Sequence, residues 1–487
     1  MTTPSPLEQV RVLLPHVRVS DPHVCSDDRA RLSLLRAVYE SLVRRGDDGR
    51  HRSVLAERWT ASPDARTWTF QLRPDVAWHD GSALRAEDVV ASLTRIRDEP
   101  PEGELGTSGV YQGYLAGATI EVAAPGRVRI DLPAPMADLL DILAELVILR
   151  ADDVARSDLL PAGTGPFQWE ERSDDQVVLA RFERYWGARS PVGRVIARAE
   201  PDATARLEAA RAGTCDIAAD IDLRSTTTND RLRIRPGGTT TAFMANLREG
   251  PLTDRRVRQA LNYATDVGAV ISTLFGGHAD AVASPCTSPH LGFDRFLAPY
   301  PHDRVRARTL LSGAGVEGLR LRFDVPEVLP DEAVALGELL AEQFAAVGVD
   351  LELERHADRP AYAERVRDGR IHDAACFDST PVSTFRLFRE KFHGGVQGTW
   401  WLGHDDPVFD AAVDEATATP DPSRRAGLYR KAAGLLHRNA PWIYLYAPRW
   451  GWATSPAVDG WRPSPEGWVD LAGDRFGPAG HDTNARS

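Results

Sequence analysis

Lysine is almost absent from this chain. Of 58 basic residues only Lys391 and Lys431 are not arginine, the usage that arginine codons of a GC-rich genome produce. Positive charge is also the minority sign. A net charge of −12 leaves no basic footprint for phosphate, which argues against nucleic acid as a partner. No apolar run reaches the ~20 residues that span a bilayer, so no transmembrane segment is predicted. Cys25, Cys215, Cys286 and Cys376 lie far apart without Cys-x-x-Cys or Cys/His ligand spacing, which argues against structural zinc and leaves one or two disulfides open. The thirteen histidines form no His-Glu-x-x-His pair. There is no phosphate-binding glycine loop, no Gly-x-Ser-x-Gly elbow and no arranged Cys/His pair. Unlinked acids such as Asp216 and Asp410 define no dyad. No metal, cofactor or catalytic set is therefore predicted.

What is present is a long α/β pattern. At 487 residues and 43% hydrophobic the chain can bury more than one core, so two or three domains are expected. Trp68, Phe70 and Leu72 alternate with Thr67, Thr69 and Gln71 as in a strand with one buried face. Asp80-Gly81 then turns the chain, and Val89, Leu93 and Ile96 follow at helical spacing. Val10 to Leu14 reads as a strand, Ala30 to Val43 as a helix, and Thr119 to Leu132 as a hairpin turning at Pro125-Gly126. Leu319 to Val325, a helix from Asp331 to Val347, Gly348 as helix stop and Val349 to Leu353 form a strand–helix–strand unit, which requires a right-handed crossover into a parallel sheet. Residues 473–487 are polar and read as a frayed tail.

The wording of Leu55 to Ile96, LAERWTASPDARTWTFQLRPDVAWHDGSALRAEDVVASLTRI, resembles the signature of the family 5 solute-binding proteins of ABC importers, which bind peptides, nickel chelates and related solutes. Further landmarks follow in the family's order. Gly163-Thr164-Gly165-Pro166-Phe167 is similar to its GTGPF/Y turn and Arg184-Tyr185-Trp186-Gly187 to its YWG element. Arg255 to Asp266, RRVRQALNYATD, is similar to its VRQAxxYAxD helix, and Ala440 to Tyr446 to its AP-x-x-x-LY segment.

The resemblance implies an α/β, two-lobed periplasmic-binding-protein-like fold of type II. Its base lobe would comprise residues 1–47, 161–241 and a C-terminal return at 446–487. An extra domain would be inserted at 48–160, and residues 242–445 would form the second lobe. Two strands, Thr239 to Asn246 and Ile443 to Ala447, would cross between lobes that close on a ligand. The start departs from the family. Exported members carry a charged, then apolar, leader, whereas here Val10 to Leu14 follows Met1 within about ten residues and Cys25 lies outside any lipobox. Taken as it stands, the sequence predicts a cytoplasmic protein; loss of an export signal would make it extracytoplasmic.

The best ligand-site candidate is the run from Asp378 to Phe385. In peptide-binding relatives an aspartate seven residues before a phenylalanine receives the ligand's ammonium group, and Asp378 matches it, although the proline is displaced by one place and a second acid is missing. The alternative is that Asp378 caps a helix starting near Ser383. Arg386 and Arg389, three apart on one helical face, could offer a fork to a carboxylate or pair with acids such as Glu390. Trp400 and Trp401 would face opposite ways if extended, one packing inward and one lining the cleft. Tyr446 and Tyr111 are further ligand candidates, Tyr114 and Tyr263 weaker ones, each with ordinary core burial as the alternative. His79 reads as structural, because its motif is shared by relatives with very different ligands.

The expected function is capture of a small amine- or carboxylate-bearing solute (peptide, amino-acid conjugate or chelate) by a monomer that hands it to an ABC permease. The alternatives are a cytoplasmic protein of the same fold used as a biosynthetic enzyme or as a ligand sensor.

Overall fold

The computed structural model describes residues 7–24, 27–101, 110–380 and 383–476. The chain divides into two units, Met1–Arg235 with Trp450–Ser487 and Pro236–Arg449.

In the first unit Val10–Leu14 runs parallel to Arg194–Ala199 on one side and to Ile217–Ala219 on the other. Val10, Val12 and Leu14 alternate with arginine and leucine and point into a core that also holds Val177, Leu179, Trp452 and Trp461. The sheet continues through Gln176–Arg181 and Phe167–Arg172 at one end, and through Trp450–Thr454 and Leu232–Arg235 at the other. The C-terminal segment therefore supplies an interior strand.

A separate antiparallel sheet of the same unit has the order Ala56–Ala61, Thr67–Leu72, Arg127–Asp131, Thr119–Ala124. Trp68, Phe70 and Leu72 are its buried face. Gly81 and Gly126 turn the chain at φ +92 and +68, values that favour glycine. Helix Ala86–Asp98 begins where the Asp88 carboxylate accepts from the Arg85 N–H (2.8 Å), and it buries Val89, Leu93 and Ile96.

The helix expected over 30–43 ends earlier, as Arg29–Val38. Beyond Val38 the backbone is claimed by other partners. Ser41 bridges to Val147, and Val43–Arg45 pairs with His51–Ser53. Leu42 and Val43 continue the apolar spacing of the helix, so periodicity alone runs past its end.

The second unit is a six-stranded sheet in the order Ala279–Ala281, Trp442–Pro448, Thr240–Ala245, Ala374–Ser379, Arg320–Pro326, Asp350–His356. Thr240–Ala245 is buried along its whole length between two antiparallel neighbours. The strand–helix–strand unit is present as Arg320–Pro326, helix Ala333–Ala345 and Asp350–His356, with the two strands parallel and Gly348 turning at φ +86. The chain passes between units at Arg235–Pro236 and Arg449–Trp450. Thr240–Ala245 and Trp442–Pro448 therefore lie in this sheet, while Leu232–Arg235 and Trp450–Thr454 pair with each other in the first unit.

Candidate functional site

Thr241 stands opposite Asp378 on one side and Tyr446 on the other. Directly opposed residues of antiparallel strands project to one face, so Asp378, Thr241 and Tyr446 form a row across the sheet of the second unit. The buried Tyr446 hydroxyl donates to Glu332 Oε1 at 3.0 Å. Burial pushes the Glu332 carboxyl above its ordinary range, and the neighbouring Asp331 and Asp378 add to the shift. Burial also raises the Tyr446 phenol and the Cys376 thiol, keeping both neutral. Asp378 is 29% exposed and lies 3.4 Å from Arg359 Nη2, on a side chain only 7% exposed. Arg359 Nε donates to the Leu329 carbonyl at 2.7 Å, and its guanidinium stands 4.6 Å above the centre of the Phe377 ring.

Helix Thr384–Lys391 is capped by Ser383, whose Oγ accepts from the Arg386 N–H at 3.4 Å; Asp378 lies upstream on the strand. Pro381 and Val382 lie outside the described residues. Arg386 and Arg389 share that helix, but each meets an acid: Arg386 Nε donates to Glu390 (3.0 Å) and Arg389 Nη1 to Asp414 (3.5 Å). Trp400 is not extended; at φ +71 its backbone is left-handed, and its buried ring lies 4.6 Å from Phe377, with Lys391 Nζ 5.2 Å from its centre. Half-buried Trp401 donates through Nε1 to the His404 carbonyl at 2.8 Å. Tyr111 is buried on helix Val110–Leu115 in the first unit. The structure thus brings Asp378 and Tyr446 into one row and sets Trp400 against Phe377, the residue preceding Asp378.

The residues that carry the family wording do architectural work. His79 Nδ1 accepts from the Gly163 N–H (3.2 Å) and Nε2 donates to the Gly165 carbonyl (3.0 Å), while burial pushes the imidazole down to about 4. Tyr185 and Trp186 donate to the buried Glu40 carboxylate at 2.8 and 3.0 Å. Desolvation raises Glu40 to about 7. Cys215, Cys286 and Cys376 are each buried and free, and Cys25 lies outside the described residues.

Sequence reasoning did not single out Arg359, Phe377 or Glu332 as site residues, and took in Ser379 only as part of the run from Asp378 to Phe385. Arg359 stands in Asp-Arg-Pro, the wording of a helix start, and it does start helix Arg359–Arg367 with Asp358 as cap. Only the fold shows that its side chain turns onto the strand bearing Asp378.

Two α/β units, each built on its own mixed sheet and joined by two passages of chain, are the fold of the periplasmic binding proteins. The structure of HbpA2 from Haemophilus parasuis matches with a TM-score of 0.82 at 24% identity, over 96% of this chain and 99% of that one. Heme-binding protein A of Haemophilus influenzae is 28% identical over 455 residues, covering 85% of this chain and 82% of the relative. The dipeptide-binding protein of Escherichia coli is 26% identical, covering 80% of each. The family profile "Bacterial extracellular solute-binding proteins, family 5 Middle" matches residues 52–377, more than half of the chain. The chain belongs to this family of solute-binding proteins. Among the described residues no helix is long and apolar enough to cross a membrane.

Proposed function

We propose that this solute-binding protein captures a small solute bearing an amine or a carboxylate (a peptide, an amino-acid conjugate or a chelate) and, as a monomer, hands it to an ABC permease. The observation that carries this reading is the part-exposed Asp378 carboxylate, set in the Thr241–Tyr446 row beside the buried Arg359. A carboxylate held in such a place favours a cationic group as its partner, because a poorly solvated charge is costly until it is compensated. Trp400, Trp401, Arg386 and Arg389, which belong to the same unit, remain in the proposal as aromatic or charged groups near that carboxylate, whereas Tyr111 lies in the first unit and is left out of it. The same reading takes residues 48–160 as an inserted domain, for which the separate four-stranded sheet over 56–131 is the support.

A thermal-shift screen with dipeptides, polyamines, opine-like conjugates and metal chelates tests the reading, since a bound solute raises stability by RT ln(1 + [L]/Kd). A shift with an amine- or carboxylate-bearing compound supports it; shifts confined to neutral, uncharged solutes would overturn it. Fractionation of the native host tests location. Recovery outside the cytoplasm is what transport requires, and recovery in the cytoplasm would count against an importer role.

A further inference from the structure

The C-terminal stretch of the first unit is fastened by buried charge to the hairpin made by Val43–Arg45 and His51–Ser53. Arg44 and Arg45 are neighbours on a strand and so project to opposite faces of it. The segment after Trp461 meets both: Asp474 pairs with Arg44, and Glu466 Oε1 accepts from Arg45 Nε at 3.3 Å. The same segment follows on the interior strand Trp450–Thr454 and is tied down elsewhere by neutral bonds. The Val469 N–H donates to Ser33 Oγ at 2.9 Å, and Ser190 Oγ donates to the Leu471 carbonyl at 2.6 Å.

Glu466 is the poorly compensated member of this clamp. Its guanidinium is shared, because Arg45 Nη2 donates to Asp141 at 2.8 Å, closer than its bond to Glu466, and all three side chains are buried. The other cation facing Glu466 is Arg36 of helix Arg29–Val38. Arg36 Nη2 lies 3.3 Å from Glu145 Oε2, however, and its guanidinium stands 5.7 Å from the centre of the Trp468 ring. Helix Leu139–Glu145 thus brings two acids to the place, Asp141 and Glu145. From the hairpin, His51 Nε2 lies 3.0 Å from Asp141 Oδ1 without the alignment of a hydrogen bond. Burial, with Glu145 adding to it, pushes the Glu466 carboxyl up to about 7. On the Arg44 face burial raises Asp470 and Glu40 in the same sense.

We propose that Glu466 is a proton-operated catch for the C-terminal segment. Protonated, it is a neutral hydrogen-bond partner of Arg45; ionised, it sets a further carboxylate against a guanidinium already given to Asp141, and residues 461–476 loosen from the hairpin. A carboxyl raised on folding contributes stability that is fully present below about 4.5 and is lost as pH rises through about 7. The first unit is therefore held most firmly in mildly acidic surroundings. Every group of the catch lies within that unit.

Hydrogen exchange of the full chain, read by mass spectrometry and corrected for the intrinsic pH dependence of exchange, tests the catch. Opening of residues 461–476 should rise at least about tenfold from about pH 5 to about pH 8. Strand Thr240–Ala245 of the second unit should not follow. Glu466→Gln keeps an acceptor for Arg45 without the charge and should flatten the rise. Glu145→Gln removes the facing acid, should make the rise smaller and complete it at lower pH, and carries the test if Glu466→Gln does not fold. No rise in the parent, an equal rise in the folded variants, or the same rise at Thr240–Ala245 overturns the catch.

Discussion

Asp378 differs from an ordinary surface aspartate in its surroundings: a buried guanidinium on one side and a neighbouring acid, Glu332, that burial holds above its usual range. Asp378→Asn keeps an acceptor for Arg359 but removes the charge. We expect it to weaken binding of an amine-bearing solute by more than about tenfold, read by calorimetry, since losing one partner of a desolvated pair costs ~2–5 kcal/mol. The melting temperature of the free protein should fall only slightly, because the bond to Arg359 is long and Asp378 is part-exposed. Parental affinity in that variant would remove Asp378 from the site. His79 offers a prediction of another kind. Its folded value of about 4 lies below the unperturbed one, so the unfolded chain takes up the proton first and stability is lost as pH falls from about 6.5 through about 4. A shift of that size corresponds to roughly 3 kcal/mol. Urea unfolding across this range should show a shallower acid loss in His79→Gln than in the parent. Equal slopes would mean that the imidazole is not held neutral. Glu40, raised to about 7, has the opposite sign, its contribution being lost as pH rises from about 4.5 through 7. Because Glu40 is common to both proteins, its contribution cancels in the comparison.

At the scale of elements, the Gly-Thr-Gly-Pro-Phe turn is the clearest case of a sequence dictated by a close approach. A Cβ on Gly163 would stand 1.9 Å from the Val38 carbonyl oxygen, and one on Gly165 would stand 2.6 Å from that of Ala37. The turn lies against the C-terminal end of helix Arg29–Val38, where the Gly165 N–H donates to the Val38 carbonyl at 2.9 Å. Gly163→Ala should therefore destabilise the first unit by at least ~3 kcal/mol, the range of strong overpacking, as read by denaturant unfolding. A near-neutral result would mean that the turn is free to move away from the helix. The loop after helix Thr384–Lys391 shows the complementary case, a side chain placed at the expense of the backbone. Gln397, Trp400 and Gly403 are all left-handed there, and only the last is glycine. Trp400→Ala should cost about 3 kcal/mol through loss of the Phe377 and Lys391 contacts, measured by urea unfolding.

The whole molecule is asymmetric in how its two units use the chain. The second unit is continuous, Pro236–Arg449, with its own core around Phe243, Phe323, Phe344 and Tyr446. The first needs the chain to return, because Trp450–Thr454 is an interior strand between Leu232–Arg235 and Ile217–Ala219, and Trp452 and Trp461 fill its core. Stopping translation after Arg449 should abolish the cooperative folding of the first unit while the isolated segment 236–449 still folds, as followed by hydrogen exchange. Folding of the truncated first unit would show that its sheet closes without the C-terminal strand.

Elements with strict local patterns were legible in the sequence. Val10–Leu14, Thr67–Leu72, the hairpin at Gly126 and the Arg320–His356 strand–helix–strand unit were fixed by alternation, helical spacing and glycine turns, which act over a few neighbouring residues. The family wording added the fold, and in this structure its residues hold the turn together: Gly163 lets the turn approach helix Arg29–Val38, His79 bonds to Gly163 and Gly165, and Tyr185 and Trp186 bond to the buried Glu40 carboxylate. The end of helix Arg29–Val38 was not legible, since the bridges and strand pairs that take over its backbone come from distant segments. The site was half legible: Asp378 stood out by motif, whereas Arg359 looked like any arginine opening a helix. Its importance depends on a guanidinium desolvated over Phe377 beside the Asp378 carboxylate, and burial of that kind exists only once strand and helix have packed together.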